Sequence, residues 1–377
     1  YLLRQLENFR RGVRGTDERD AGGAQMRAVA AALPDDQAVV DVIAYVATLD
    51  GTAKDSLEPT PLALSTQCPP SFEKLADGTC AFRSLYELYA SVDGHGGLRA
   101  HLPPLRERFT PEQIDLGRYL FFDRALSRDG SIACADCHNP NHGFSDARAR
   151  SLGISAGRSH GSAVRSELER NAPTLWNVGF LQRLFWDGRA RTLQEQAAGP
   201  LFSADEMASA PQALQASLSS IPAYAHLFAA AFRRDSRRPI RVEEVVQALA
   251  AFQSSLVSFN SRYDRYALGE STALNERELH GYNVFRGFVA RCSQCHIPPL
   301  FTDGELAVLG APAVPGRPYD LGAGRNSDDP ALRGAFKVPT LRNITRTAPY
   351  FNAGQFASLE DVLRLAREAA KRHRDDL

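Results

Sequence analysis

The stretch "SIACADCH", residues 131–138, contains the frame Cys134-Ala-Asp-Cys137-His138. The same five-residue frame returns in "ARCSQCH", residues 290–296, as Cys292-Ser-Gln-Cys295-His296. Together the two frames hold four of the six cysteines in a chain of 377 residues. In each frame the two thiols are three residues apart, so they share one face of a helical turn. The repetition indicates one binding chemistry that is used twice.

Cys-x-x-Cys-His is the attachment pattern of c-type haem. The two thiols can each add to one vinyl group along a porphyrin edge, and the histidine can then turn beneath the ring and bind iron. A redox disulfide or half of a zinc site also uses Cys-x-x-Cys, and the two pairs together could supply a zinc site. Neither alternative requires a histidine directly after the second cysteine, and both frames have one. The sequence therefore predicts two covalent c-type haems.

The overall composition narrows the class of protein. The 44 basic and 44 acidic residues balance, so no general attraction to nucleic acid or anionic lipid is expected. No apolar run is long enough to span a bilayer. The remaining cysteines, Cys68 and Cys80, lie beside turn-forming residues, and a disulfide between them would place the protein in an oxidising compartment. Two free surface thiols are the alternative.

The spacing of apolar residues is mainly helical. One-sided apolar faces occur over residues 2–13, 39–46 and Arg241–Phe259. Thr110, followed by Pro111 at the first turn, has the pattern of a helix N-terminus. The two frames are about 160 residues apart, which is one domain length. These observations favour a mainly α protein with two similar units and long loops.

Several long stretches resemble the bacterial di-haem cytochrome c peroxidase family, which includes the MauG proteins. They include "LGRYLFFDRALSRDGSIACADCHNPNHGFSD", "RNAPTLWNVGF", "RLFWDGRARTLQEQAAGPLFSADEM" and "VPTLRNITRTAPYFNAGQFASLEDV", in family order between about 109 and 367. The resemblance implies two cytochrome c-like haem domains that face each other. It places a peroxide-reacting domain at 109–258 and an electron-transfer domain at 259–377, after a linker at 53–108 that carries Cys68 and Cys80.

The resemblance also assigns roles to single residues. His138 and His296 would be the proximal iron ligands, and Trp186 would lie between the haems. Gln196 and Glu206 would form the distal pair over the peroxide-reacting haem, with Pro200 lining that pocket, and Asn171 with the carbonyls of Thr347 and Pro349 would bind Ca²⁺. Glu206 also has a role on physical grounds, because cleavage of peroxide needs a proton moved between its oxygens. A solvated surface charge is the alternative for Glu206.

The sequence departs from the family pattern at two iron positions. In classical members a histidine caps the peroxide-reacting iron. Ser155 stands at that position here, and His160 is out of register, so we expect the sixth position of this iron to be open. The family supplies Met or Tyr for the second iron, but Ala366 stands there and no methionine follows Met207. Tyr350, Tyr319 and His373 are the candidates in this chain, and the family sequence continues past Leu377.

Residues 1–52 resemble the C-terminal half of a class I cytochrome c. Met26 would then be the axial ligand of a third haem whose attachment frame lies upstream of Tyr1. An amphipathic helical extension with a buried methionine is the alternative.

These features predict an exported, periplasmic peroxidase that reduces hydrogen peroxide with electrons from a cytochrome or cupredoxin. A MauG-like oxidase that uses peroxide to oxidise residues of a partner protein is the second hypothesis. A multihaem electron carrier without peroxide chemistry is the third, and the pair Gln196 and Glu206 argues against it.

Overall fold

The computed structural model describes Ala30 and residues 62–85, 102–154 and 165–375, with side chains described as far as residue 368. Contacts divide the chain into two units, Tyr1–Ala63 and Leu64–Leu377, and the elements described below belong to the second. The predicted helices at 2–13 and 39–46 lie outside the described residues, as do Met26, Ser155 and His160.

The described part of the chain is mainly helical, as the sequence predicts. Its nine α-helices are α1 (Pro111–Phe121), α2 (Cys134–Cys137), α3 (Leu193–Phe202), α4 (Pro211–Ser219), α5 (Pro222–Phe232), α6 (Val242–Ser254), α7 (Arg262–Ala267), α8 (Glu276–Arg286) and α9 (Leu359–Asp375). Six short strands form three antiparallel pairs: β1 (Phe72–Lys74) with β2 (Cys80–Phe82), β3 (Leu152–Ile154) with β4 (Arg165–Glu167), and β5 (Leu306–Ala307) with β6 (Phe336–Lys337). No described helix has the length and apolar character needed to cross a membrane.

The core is built on the close approach of α1 and α6. Thr110 caps α1 by accepting a hydrogen bond from the Gln113 N–H, and Pro111 occupies the first turn, as predicted. Gly117 allows the two helices to touch, because a Cβ there would lie 1.8 Å from the Ala248 carbonyl oxygen. Large apolar side chains on both helices, among them Leu120 and Leu249, are almost fully buried at this contact.

Helix α6 is shorter than the predicted Arg241–Phe259, because it ends at Ser254. Beyond Ser254, the backbone forms hydrogen bonds with Asn177. The Asn177 N–H donates to the Leu256 carbonyl at 2.8 Å, and the Ser258 N–H donates to Asn177 Oδ1 at 2.8 Å. The backbone N–H and the side-chain amide of Asn177 thus replace the helical hydrogen bonds, which apolar periodicity alone could not predict.

The predicted disulfide between Cys68 and Cys80 is present, and it closes the hairpin of β1 and β2. This part of the segment predicted as a linker is packed against the core. Phe72 and Cys80 are buried in one cluster with Phe109 and Ile114, next to α6.

Candidate active site

The first frame forms the short helix α2. Asp136 stabilises its start by accepting hydrogen bonds from the Ala133 N–H at 2.8 Å and from Arg124 at 2.9 Å. His138 follows the helix, and its Nδ1 lies 3.0 Å from the Phe144 carbonyl oxygen. Burial lowers the pKa of His138, so the ring is neutral. With Nδ1 as the donor, Nε2 keeps the lone pair that an iron ligand needs.

The thiols of the first frame are also arranged for attachment and not for thiol redox chemistry. Cys134 and Cys137 are both free. Burial raises the pKa of each thiol to about 12, whereas redox-active cysteines have a lowered pKa. The shared zinc site is not formed either, because no three His, Cys, Asp or Glu side chains converge on a metal position within the described ranges.

A cavity of about 460 Å³ opens beside this frame, a size within the usual range for cofactor pockets. Its lining includes most of the residues that the sequence assigned to the peroxide site: Cys134, Cys137, His138, Asn171, Trp186, Gln196, Pro200 and Glu206. Apolar side chains such as Phe121, Ile132 and Leu181 supply much of the remaining wall. An apolar cavity with free thiols and a neutral histidine at its edge fits a porphyrin.

Helix α3 and the turn after it position the predicted distal residues. Gln196 and Pro200 are four residues apart and share a face of α3. Glu206 lies in the following turn, where its carbonyl accepts a hydrogen bond from the Ile154 N–H at 2.9 Å. Gly153 permits this contact, because a Cβ there would lie 1.7 Å from the Asp205 carbonyl oxygen. Strand β3 therefore fixes the backbone that carries Glu206.

Burial raises the pKa of Glu206 above the usual value of a glutamate, although a hydrogen bond from Ser203 and the charge of Arg189 oppose the shift. A carboxyl group of raised pKa in a partly apolar cavity exchanges a proton more readily near neutral pH. The alternative of a solvated surface charge does not agree with this burial.

Trp186 is held at both its ring and its backbone. Its Nε1–H donates to the Asn171 carbonyl at 3.0 Å, and its carbonyl accepts from the Lys337 N–H at 2.7 Å. The adjacent carboxylate of Asp187 is buried and paired with Arg170 at 2.8 Å. The side chain therefore has a fixed orientation in the cavity wall.

The predicted calcium ligands are brought together in part. Asn171 Nδ2 donates to the Pro349 carbonyl at 3.1 Å, while Asn171 Oδ1 is buried without a hydrogen-bond partner. Thr347 lies two residues before Pro349, in the turn that follows a short 3₁₀ helix, Ile344–Arg346. A buried, unpartnered amide oxygen beside a carbonyl is the kind of donor set that Ca²⁺ accepts.

The second frame lies on a 3₁₀ turn, Cys292–Gln294. His296 Nδ1 is 3.1 Å from both the Phe301 and the Pro339 carbonyl oxygens, and burial lowers the pKa of the ring. Large apolar side chains flank the frame and are exposed, with Phe288 at 81% and Val289 at 97%. Free thiols, a neutral histidine and uncovered apolar surface fit a second porphyrin.

The three candidates for the sixth ligand of the second iron have different surroundings. The Tyr350 hydroxyl donates to the Ile344 carbonyl at 3.3 Å, and Tyr319 is 44% exposed. The side chain of His373 lies outside the described residues, and Ala366 lies on α9. The predicted identity of this ligand stays open.

A repeated segment behind the two frames was missed at the level of sequence, although its signal is visible. Residues 173–177 read Pro-Thr-Leu-Trp-Asn, and residues 339–343 read Pro-Thr-Leu-Arg-Asn. Thr174 donates to the Gly143 carbonyl at 2.6 Å, and Thr340 donates to the Leu300 carbonyl at 2.6 Å. In each half the threonine therefore anchors the loop that contains the acceptor for the proximal histidine.

The two copies converge on one residue. Asn177 and Asn343 both have a left-handed backbone, with φ of 62° and 57°. The Asn177 amide donates to the Ser258 carbonyl at 3.2 Å, and the Asn343 amide donates to Ser258 Oγ at 2.9 Å. The two frames are thus supported by equivalent segments that meet at Ser258.

The copies differ at their fourth position. Trp176 packs edge-on against Phe144, with ring centroids 5.0 Å apart. Arg342 replaces it in the second copy, forms a buried ion pair with Asp264 at 2.6 Å, and lies 5.6 Å from the Phe301 ring centroid. The two histidines therefore have supports of different electrostatic character.

Comparison with known proteins agrees with this geometry. The family described as di-haem cytochrome c peroxidase matches residues 111–272. The methylamine utilization protein MauG of Methylorubrum extorquens is 38% identical over 262 residues, 69% of this chain and 70% of that protein. The cytochrome c551 peroxidase of Nitrosomonas europaea is 36% identical over 290 residues, 74% of this chain and 80% of that protein. A solved MauG-like protein associated with microbial copper homeostasis has a TM-score of 0.63 at 31% identity, covering 72% of this chain and 82% of its own.

Proposed function

The chain belongs to the di-haem cytochrome c peroxidase family, and we propose that it reduces hydrogen peroxide with electrons from a cytochrome or cupredoxin. One observation carries the proposal. A single cavity contains the first frame, Gln196 and a half-buried Glu206 of raised pKa. An electron carrier has no use for an acid–base group beside its ligand histidine, so this cavity favours an enzyme over the carrier hypothesis.

In this proposal the first frame holds the peroxide-reacting haem, and the second frame holds the electron-transfer haem. When bound, the two haems supply one-electron redox chemistry at iron, which matches the two electrons that peroxide takes up. The Glu206 carboxylate accepts the proton of one peroxide oxygen and returns it to the other, while Gln196 orients the substrate. Trp186, fixed by its two hydrogen bonds, serves electron passage between the two halves.

We propose the domain arrangement on the same basis. Residues 109–258 and 259–377 would form two cytochrome c-like domains that face each other, and the repeated support segments favour such a duplication. Residues 1–52 would be a partial cytochrome c-like segment whose Met26 binds a third haem. Calcium would lie at Asn171 with the carbonyls of Thr347 and Pro349. Thioether attachment and the disulfide favour export to the periplasm.

A MauG-like oxidase is the second candidate. Two features of the sequence favour it: Ser155 stands where classical peroxidases have the histidine that caps the first iron, and no methionine follows Met207 to bind the second iron. Such an enzyme would use peroxide to oxidise residues of a partner protein instead of a small electron donor.

The test is the absorption spectrum of the oxidised, haem-loaded protein with and without peroxide, combined with turnover of reduced cytochrome c. A peroxidase shows open, high-spin iron and steady oxidation of cytochrome c. A MauG-like oxidase reacts with peroxide but oxidises cytochrome c slowly, and it modifies a protein encoded by a neighbouring gene. Iron that is entirely six-coordinate and low-spin, with no response to peroxide, would refute both.

A further inference from the structure

Four cationic side chains line the cavity beside the first frame: Arg170, Arg189, Arg325 and Lys337. Each of the three arginines is paired with an aspartate or glutamate at 2.8 Å or less. Lys337 differs from them, because it forms no ion pair with any residue that the structure describes. Among these four cations, Lys337 is thus the one whose charge no described carboxylate compensates.

Lys337 is brought to the cavity by strand β6, from the half of the chain that carries the second frame. Adjacent strand residues point to opposite faces, and Phe336 accordingly lines a separate cavity on the other side. The pairing of Lys337 with Leu306 in β5 and the 2.7 Å bond from its N–H to the Trp186 carbonyl fix its backbone. The backbone of Lys337 is therefore held in a defined position beside the cavity.

The energetic argument is one of desolvation. Burial alone lowers the pKa of Lys337 to about 8, because no carboxylate in the described chain acts on it. Burying a charge is costly unless the charge is paired. The positive charge and the burial of Lys337 suit the binding of a carboxylate that no described residue provides.

We propose that Lys337 binds a propionate of the porphyrin held by the first frame. The inference rests on the proposed function, since it needs a haem attached at Cys134 and Cys137. A porphyrin carries two carboxylates, which must be neutralised or solvated when its body enters an apolar cavity. The half of the chain that contains the second frame would thereby contribute a charged contact to the first haem, from the strand that also holds Trp186.

The experiment compares Lys337→Met with Lys337→Arg, and uses Lys74→Met as the matched control. Lys74 is an exposed lysine that donates to the Thr66 carbonyl and does not line the cavity. Covalent haem content is measured by mass spectrometry of the intact chain, and both one-electron steps are followed by spectroelectrochemical titration. Removing a cation disfavours the reduced haem. We expect Lys337→Met to lower the reduction potential of one of the two haems by about 59 mV. At a fixed potential, this is about a tenfold increase in the ratio of oxidised to reduced haem.

In the expected result the other step is unchanged, and both Lys337→Arg and Lys74→Met titrate like the parent. A fully loaded Lys337→Met with parental potentials would overturn the inference. If Lys337→Met does not retain the first haem, normal loading of Lys337→Arg supports a requirement for charge, and failure of both overturns it. A parent without covalent haem would instead refute the proposed function, so the two failures are distinguishable.

Discussion

Replacement of Glu206 by glutamine gives the sharpest test of the peroxide chemistry. The substitution keeps the size of the side chain and an oxygen that can accept the Ser203 hydrogen bond, but it removes the proton-accepting carboxylate. General acid–base catalysis contributes typically 10²–10⁴-fold. At 1.36 kcal/mol per decade this corresponds to about 2.7–5.4 kcal/mol of activation free energy. Because Glu206 is half-buried in the cavity wall, water replaces it poorly, and we expect a loss of about 10³-fold or more in this range.

The assay is the second-order rate of reaction of the oxidised protein with hydrogen peroxide, followed by stopped-flow absorbance as a function of pH. In the parent the carboxylate form of Glu206 is active. Its fraction rises with pH through a pKa that burial places above the usual glutamate value. The rate should therefore rise with pH through that raised pKa and then level off. In Glu206→Gln the rate should be low at every pH, and its rise with pH through that pKa should be absent.

Glu195→Gln is the matched control. Glu195 lies on the same segment, is exposed, and accepts a hydrogen bond from the Arg191 N–H at 2.7 Å that glutamine can also accept. It does not line the cavity, so the rate should stay within about twofold of the parent, as for ordinary surface changes. If haem-loaded Glu206→Gln reacts with peroxide at the parental rate, the assignment of the proton shuttle is wrong.

Three further predictions concern the cavity and the residues that support the two frames. Trp186→Phe should retain the peroxide reaction but slow electron delivery to the first haem, as seen by stopped flow after mixing with a reduced donor; equal slowing of both steps would contradict the assignment. Gly153→Ala should lower the peroxide rate, because its Cβ would overlap a carbonyl oxygen of the distal turn, whereas Gly281→Ala, with open space around it, should not. Arg342→Met should leave Asp264 as an unpaired buried charge and lower the free energy of unfolding by about 3–5 kcal/mol in a denaturant titration. A change below about 1 kcal/mol, as for an exposed pair, would show that the pair is not structurally important.

Much of the fold and of the chemistry could be predicted locally. The helical period from Val242 to Ser254, the cap at Thr110 and the disulfide between Cys68 and Cys80 all depend on residues close together in sequence, and the structure confirms each. The end of α6 could not be predicted in this way. It depends on Asn177, about 80 residues earlier, which bonds the backbone beyond Ser254.

The candidate site shows the same division. Both attachment frames could be predicted from the sequence, because the two thiols and the imidazole that they need lie within five consecutive residues. Trp186 and Gln196 were assigned only through resemblance, since nothing in their immediate neighbours distinguishes a cavity residue from ordinary core. For Glu206 the chemistry of peroxide cleavage added a reason for the role, but its location in the cavity also came from the resemblance. The paired segments ending in Asn177 and Asn343 were visible as a repeat, but their meeting at Ser258 is a tertiary fact.

The sequence by itself determined that this chain is mainly helical and that it has two places built to hold iron porphyrin covalently. Only the tertiary structure decided which distant side chains share the first cavity, that burial raises the pKa of Glu206, and that Lys337 enters from the other half without an ion-pair partner among the described residues. The physical reason is one of range. Attachment chemistry and helix capping act over a few residues, whereas burial and uncompensated charge depend on everything that surrounds a group in space.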